Sequence, residues 1–335
     1  MTAQFVERTY CPACRATDAA NEIFTCGFAD DPIRAYIGRY YGDDRLPLLA
    51  GQTYRLDRCR RCGLAYQRFI GDAAFLGQLY DQWLNSSANQ DRAEALQQQL
   101  LARPLTSRDG HEVMWAAHHL AQPLRGMRTL DYGMGWGLWA RTALALGCES
   151  SGFDLSDTRM RLAARAGIRL VDESRLAPQY FDFINTEQVL EHVPDPSSLV
   201  ARLAAALRPG GLLKVSVPYG TDIEKRLAFG DWHAEPPSQR SLNAVAPLEH
   251  INCFNCHAVV AMGEANRLAH VPTPFLSQFA YVRYPGAIGL DAPGQAVKEL
   301  ICPLLRRFDK PSLYVWPQKP VVGVEARPDA GRHRA

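Results

Sequence analysis

Short apolar runs alternate with helical ones through the middle of the chain. Arg128–Asp131, Ser151–Leu155, Ile168–Asp172, Phe181–Thr186 and Leu212–Val217 read as five strands. Between them, Leu138–Leu146 and the stretch from Ser156 to Ala166 carry helical periodicity, and each meets a glycine, Gly147 or Gly167, suited to the left-handed position after a helix. Asp195-Pro196 is a start signal, with Asp as cap and Pro in the first turn. Leu199, Val200, Leu203 and Leu207 then recur at three- and four-residue steps up to Pro209-Gly210-Gly211. Strand–helix alternation of this kind predicts an α/β, Rossmann-like, mostly parallel sheet covered by helices.

The flanks are patterned differently. Residues 1–68 are rich in Cys, Arg and Gly and short of helical periodicity, which predicts a small separate module. Residues 69–122 read as a helical connector or lid, with helices expected over Arg92–Leu101 and Glu112–Leu120. Residues 123–330 would hold the α/β domain, with a helix at Ala296–Phe308 and a last strand at Val321–Ala326.

The 335 residues are 47% hydrophobic and 21% charged, which argues for a folded chain. A net charge of +2 with no long basic run does not call for a nucleic-acid partner. No apolar stretch approaches the roughly 20 residues of a spanning helix, and Met1–Tyr10 lacks the apolar core of a secretory signal, so the expected location is the cytoplasm. Nine cysteines include Cys11-x-x-Cys14 and Cys59-x-x-Cys62, two pairs able to close one tetrahedral thiolate site, structural because no position stays open. A redox role is the alternative. Cys253-x-x-Cys256 has the same spacing without a second pair and reads as coincidental, and Cys26, Cys148 and Cys302 as lone thiols.

Candidate chemistry concentrates in Asp131-Tyr132-Gly133-Met134-Gly135-Trp136-Gly137, which leaves a strand and enters a helix, where open α/β sheets bind ligands. The glycines allow a tight turn and close backbone approach, and Asp131 suits a ligand with a cationic amino group. Asp154, about twenty residues on, can accept from ribose hydroxyls. Residues 128–217 resemble the class I S-adenosylmethionine (SAM) methyltransferase core in these stretches, in Val189–Pro196 with its Leu190-Glu191-His192-Val193, and in Leu207-Arg208-Pro209-Gly210-Gly211. The resemblance implies that Asp131, Gly133, Gly135 and Gly137 hold the methionine part, and that Asn185 and Glu187 line it. It places the ribose at Asp154 and the adenine amino group at Asp172 or Glu173; a helix cap is the alternative for Asp172.

The cysteine knuckle followed by Gly63-Leu64, an aromatic residue and Leu79-Tyr80 resembles the zinc module that precedes many methyltransferases of sugar and cell-surface polysaccharide pathways. Cys11, Cys14, Cys59 and Cys62 would then hold a structural Zn2+. Pro247-Leu248-Glu249-His250-x-x-x-Phe254 resembles the corresponding stretch of zinc-bearing sugar C-methyltransferases, which implies His250 as base and Glu249 as its assistant, with His192 as a second candidate base. Pro247 stands where those enzymes carry Tyr, so C-, O- and N-methylation stay open, as does a purely structural role for this His and Glu. The expected acceptor is a small molecule, a sugar nucleotide or glycan intermediate. Two other readings compete: an RNA methyltransferase gripping its substrate through Arg55, Arg58, Arg60, Arg61 and Arg68, and a non-catalytic SAM-binding scaffold.

Overall fold

The computed structural model describes residues 4–83, 104–236, 238–273, 275–284 and 312–320. The helices expected over Arg92–Leu101 and Ala296–Phe308, the strand at Val321–Ala326 and the thiol Cys302 lie outside them.

At the amino end come β1 (Phe5–Glu7), β2 (Ala20–Gly27), α1 (Ile33–Tyr41), β3 (Thr53–Cys59), β4 (Ala65–Gln67), β5 (Phe69–Gly71) and α2 (Ala73–Gln78). Helix α3 (Arg108–His119) starts at Ser107, whose hydroxyl accepts from Gly110 N at 2.9 Å. The α/β part then runs β6 (Arg128–Tyr132), α4 (Leu138–Ala145), β7 (Glu149–Phe153), α5 (Asp157–Arg165), β8 (Arg169–Leu170), β9 (Phe181–Glu187), α6 (Pro196–Ala206) and β10 (Leu207–Pro218). Beyond it lie α7 (Ile223–Phe229), β11 (Asn252–Cys253), α8 (Cys256–Ala265), β12 (Ala269–His270), β13 (Ser312–Val315) and β14 (Pro317–Gln318).

The central sheet has the order β12-β14-β10-β9-β6-β7-β8, with β13 also on β10. Strands β6 to β10 are mutually parallel, while β12, β13 and β14 pair antiparallel. The order reverses between β6 and β9, so the carboxyl ends of β6, β7 and β9 surround the switch-point crevice where such sheets bind ligands. The start of α6 is as the sequence predicts: Asp195 accepts from Ser198 N at 3.0 Å and Pro196 occupies the first turn. Three strands differ from expectation: the second runs Glu149–Phe153, two residues earlier than Ser151–Leu155. The third shrinks to Arg169–Leu170, an exposed edge with one neighbour, and the fifth begins at Leu207, five residues early. Leu207 is buried and pairs with Phe181, and Pro209-Gly210-Gly211 forms an irregularity inside the strand.

The amino-terminal block does not stand apart. A second sheet runs β11-β4-β3-β2, so a strand following the α/β core pairs with the cysteine-bearing block. Arg8, 8% exposed, reinforces that seam by donating to Asn252 Oδ1 at 2.7 Å and to the Ile251 and Gln67 carbonyls at 2.6 and 2.5 Å. One hydrophobic cluster contains Cys59, Leu64 and Tyr66 together with Leu130, Ile184, Leu203 and Phe254. Among the described residues no helix is long and apolar enough to cross a membrane.

Candidate active site

The glycine turn follows β6 directly. Gly133, Gly135 and Gly137 have φ of +72°, +55° and +72°, values that a side chain disfavours. Gly133 N and Met134 N both donate to the Phe153 carbonyl, at 2.8 and 2.9 Å, locking the turn against the end of β7. Asp154 projects back across it, accepting from Gly135 N at 2.8 Å and from Ser156 N at 2.9 Å. The turn, the start of α4 and the Asp154 carboxylate therefore lie together at the carboxyl edge of the sheet. Asp131 lies beneath, 3% exposed, with its oxygens accepting from Asn185 Nδ2 at 2.7 Å and Ala140 N at 3.2 Å. Burial pushes its carboxyl up to about 7, against the Asn185 hydrogen bond that favours ionisation. Asp172 is exposed after β8 and caps the turn that follows, accepting from Ser174 N at 2.9 Å and Ser174 Oγ at 2.7 Å. Its neighbour Glu173 accepts from the Tyr132 hydroxyl at 2.5 Å and from Arg202.

Glu187, at the end of β9, joins a charge network on the same crevice. Lys214 of β10, wholly buried, lies 2.5 Å from Glu112 of α3 and 2.9 Å from Glu187, and Arg108 also pairs with Glu187. Burial opposes ionisation of Glu187, but Lys214 and Arg108 outweigh it and hold the carboxyl down to about 2. The network fastens α3 over the sheet's carboxyl edge.

The segment leaving β9 connects this crevice to a second polar cluster. Val189 packs so close to the turn that a Cβ on Gly133 would meet Val189 Cγ2 at 2.5 Å. Three residues on, His192 Nδ1 lies 3.0 Å from the Glu249 carbonyl and 3.0 Å from the Tyr80 hydroxyl. The rings of His192 and His250 are 4.8 Å apart, and His250 Nδ1 bonds the Asn243 carbonyl. A carbonyl only accepts, so Nδ1 of each ring carries the proton and Nε2 of each has the lone pair. Burial holds His192 down to about 3 and His250 to about 4, so both are neutral at pH 7. The Tyr41 hydroxyl donates to Glu249 Oε1 and lies 2.9 Å from the Pro247 carbonyl. Burial raises the Glu249 carboxyl, with the Tyr41 hydrogen bond acting against it. Glu191 is wholly buried, and burial pushes its carboxyl up to about 8.

The structure thus brings His192, Glu249 and His250 into one cluster and gathers Asp131, the three glycines, Asp154, Asn185 and Glu187 along one crevice. Sequence reasoning assigned no role to Tyr41, Asn243 or Glu191. The only signal for Glu191 was its place in Leu190-Glu191-His192-Val193.

The four cysteines converge as their spacing predicts. Cys11 Sγ and Cys62 Sγ are 3.6 Å apart, as are Cys14 Sγ and Cys59 Sγ, and all four sulfurs fall within 4.8 Å of one another. Zinc–thiolate bonds of about 2.3 Å set tetrahedral sulfurs roughly 3.8 Å apart, so the cluster has the dimensions of a zinc site. Each knuckle turns through a left-handed residue after its second cysteine, Arg15 at φ 63° and Gly63 at φ +77°. Cys253 and Cys256 take no part: one lies in β11 and the other opens α8.

Residues 106–266 match a family model described as "Methyltransferase domain". Among curated proteins, the chain is 32% identical over 120 residues to the ubiquinone biosynthesis O-methyltransferase of Bordetella avium, covering 32% of this chain and 49% of the relative. It is 35% identical over 100 residues to that of Thiobacillus denitrificans, covering 27% and 43%. The chain thus spans less than half the length of these relatives. Among solved structures, the 1,6-didemethyltoxoflavin-N1-methyltransferase of Burkholderia thailandensis aligns at 20% identity and a TM-score of 0.38, over 70% of this chain and 92% of that one. An S-adenosylmethionine-dependent methyltransferase from Mesorhizobium loti aligns at 20% identity and a TM-score of 0.39, over 61% and 96%. With the family match lying over the parallel sheet, its switch point and the glycine turn, residues 106–266 of this chain match a methyltransferase domain.

Proposed function

We propose that the chain transfers a methyl group from S-adenosylmethionine to a small hydroxylated acceptor of the nucleotide-linked sugar, glycan or natural-product class. One observation carries the cofactor half: the glycine turn after β6 and the Asp154 carboxylate after β7 face the same crevice. In this reading, Asp154 exchanges its bonds to Gly135 N and Ser156 N for ribose hydroxyls. The turn and the Asn185–Glu187 edge hold the methionine part, with Asp131 steadying them from below. Asp172 is assigned to the adenine side. The cofactor supplies a methyl group on a sulfonium leaving group, so the protein has to orient the acceptor and receive its proton.

The histidine–carboxyl cluster is the proposed activating group. His250 Nε2 takes the acceptor's proton, Glu249 tunes the site through Tyr41, and His192 is the second candidate base. A cavity of about 660 Å3 lined by Tyr219, Arg226, Arg240 and Asn243 adjoins the cluster through Asn243, which supports a small-molecule acceptor. The relatives' names support oxygen as the methylated atom. The four cysteines are assigned a structural Zn2+, and their reduced thiols suit a cytoplasmic location.

Three of the five arginines behind the RNA reading are paired with carboxylates, while Arg60 and Arg61 are exposed. Arg55 pairs with Asp57 and Glu22, Arg58 with Glu224, Arg68 with Glu7 and Asp57, and Arg60 bonds the Asp18 carbonyl. Calorimetric titration of the metal-loaded protein with SAM or S-adenosylhomocysteine tests the cofactor half, and no detectable heat of binding overturns it. For the acceptor half, His250→Ala is expected to abolish turnover while SAM affinity stays within a few-fold. Retained turnover removes His250 from the reaction.

A further inference from the structure

The carboxyl group of Glu191 is wholly buried, yet among the described residues no other residue gives either of its oxygens a hydrogen bond. Buried carboxylates are otherwise paired, hydrogen-bonded or bound to a metal, because desolvation without compensation is expensive. Around Glu191 the nearest candidates for compensation are two imidazoles. One oxygen of Glu191 and one nitrogen from each of His192 and His250 lie within 4.8 Å of one another, and His192 Nε2 is 3.9 Å from Glu191 Oε1.

We propose that Glu191, His192 and His250 form a second metal site, a two-histidine, one-carboxylate set for a divalent transition-metal cation. Three features of the cluster fit. Each histidine has Nδ1 committed to a backbone carbonyl, His192 to Glu249 and His250 to Asn243, which orients the ring and leaves the Nε2 lone pair for a ligand. Metal-ligating imidazoles are held in this way. The donors, two imidazole nitrogens and one carboxylate, suit zinc or a first-row ion and leave coordination positions open. With bonds of about 2.1 Å, such an ion wants its donors roughly 3.0–3.5 Å apart, within reach of small side-chain rotations. The other carboxylate group of comparable spacing, Asp109, Glu112 and Glu187, already has Lys214 and Arg108 among its oxygens and needs no ion.

This site rests on the reading that the cluster activates the acceptor, and it changes how. An ion here occupies the nitrogen that would otherwise take the acceptor's proton. His250 then acts as a ligand, and the open positions face an acceptor oxygen. The single nitrogen cannot do both, so a metal count decides between them.

The full-length protein, reconstituted with Zn2+ alone and freed of loose metal, is expected to hold two equivalents per chain by elemental analysis. Glu191→Gln should hold one, with SAM affinity unchanged by calorimetry. Replacement with Co2+ gives a readout that needs no variant: the cysteine site shows intense sulfur-to-metal charge-transfer absorption. The second equivalent should add weak ligand-field bands without it. His250→Ala, should Glu191→Gln fail to fold, must also lose the second equivalent. A wild-type chain that holds one equivalent, wholly thiolate-bound, and still turns over overturns the cation site and leaves the methyltransferase reading standing. Two equivalents retained by both variants overturn it as well. Two equivalents with no SAM binding would sink the methyltransferase reading instead.

Discussion

At the residue scale the glycine turn separates two requirements that a sequence pattern merges. A Cβ on Gly133 would meet Val189 at 2.5 Å, whereas one on Gly135 meets nothing within 4 Å, though both residues have positive φ. Gly133→Ala is therefore expected to lower thermal stability as well as SAM affinity, since Val189 and the segment carrying His192 must move. Gly135→Ala bears only the left-handed strain, about 1–2 kcal/mol. Its added methyl enters open space at the mouth of the cradle, so the loss should fall mainly on SAM affinity. Thermal unfolding and calorimetry on the two variants check this, and equal losses of stability would refute it. Spacing made the three glycines, Asp131 and Asp154 legible because each is dictated by a local turn or strand end. Tyr41 was not legible: it meets Glu249 from a helix far away in the chain, and no local pattern encodes that meeting. Asn243 was invisible for a different reason, since it contributes a backbone carbonyl, which every residue has.

At the scale of elements, the clamp between α3 and the sheet is where a buried charge decides stability. Lys214 is 0% and Glu112 1% exposed, so neither group has water to fall back on if its partner goes. Lys214→Met should destabilise the chain by about 3–5 kcal/mol, the usual cost of leaving a buried charge uncompensated. Adding Glu112→Gln to Lys214→Met should recover much of that loss, because Glu112 and Glu187 would otherwise share Arg108 alone and the double variant leaves that cation to Glu187. Denaturant unfolding of the single and double variants measures the coupling, and strict additivity would show that the clamp carries no energy. Sequence periodicity located α4, α5 and α6 well, since caps and glycine stops mark them. It misplaced strand ends for a tertiary reason. Pro209-Gly210-Gly211 ends a helix by local rules, yet Leu207 already pairs with Phe181, so the strand starts before the turn signal rather than after it.

For the whole molecule, the consequential feature is that the cysteine block and the methyltransferase domain share a sheet. Composition set residues 1–68 apart as a module, because knuckle chemistry differs from strand–helix alternation; strand pairing between distant segments leaves no mark in composition. Strand β4, just beyond the second knuckle, pairs with β11, and Gln67 Nε2 donates to the His250 carbonyl at 3.2 Å. Asn255 Nδ2 in turn donates to the Gly63 carbonyl at 2.9 Å, and Arg15 beside the first knuckle lies 2.6 Å from Asp195, the cap of α6. An ion held by the four cysteines would therefore brace the backbone on both sides of His250, far from the cofactor cradle in chemical role but joined to it mechanically. Structural zinc contributes binding free energy directly to folding. Removing it by chelation, or by Cys59→Ser, should lower the melting temperature of the chain in a single transition, since one hydrophobic cluster spans the block and the sheet. Turnover should fall at chelator concentrations where SAM still binds, because β11 and the His250 segment lose their support before the β6–β7 edge does. Parallel measurements of melting, turnover and SAM binding across a chelator series check the order, and a cysteine block that melts separately while turnover persists would show that the shared sheet transmits nothing to the active site.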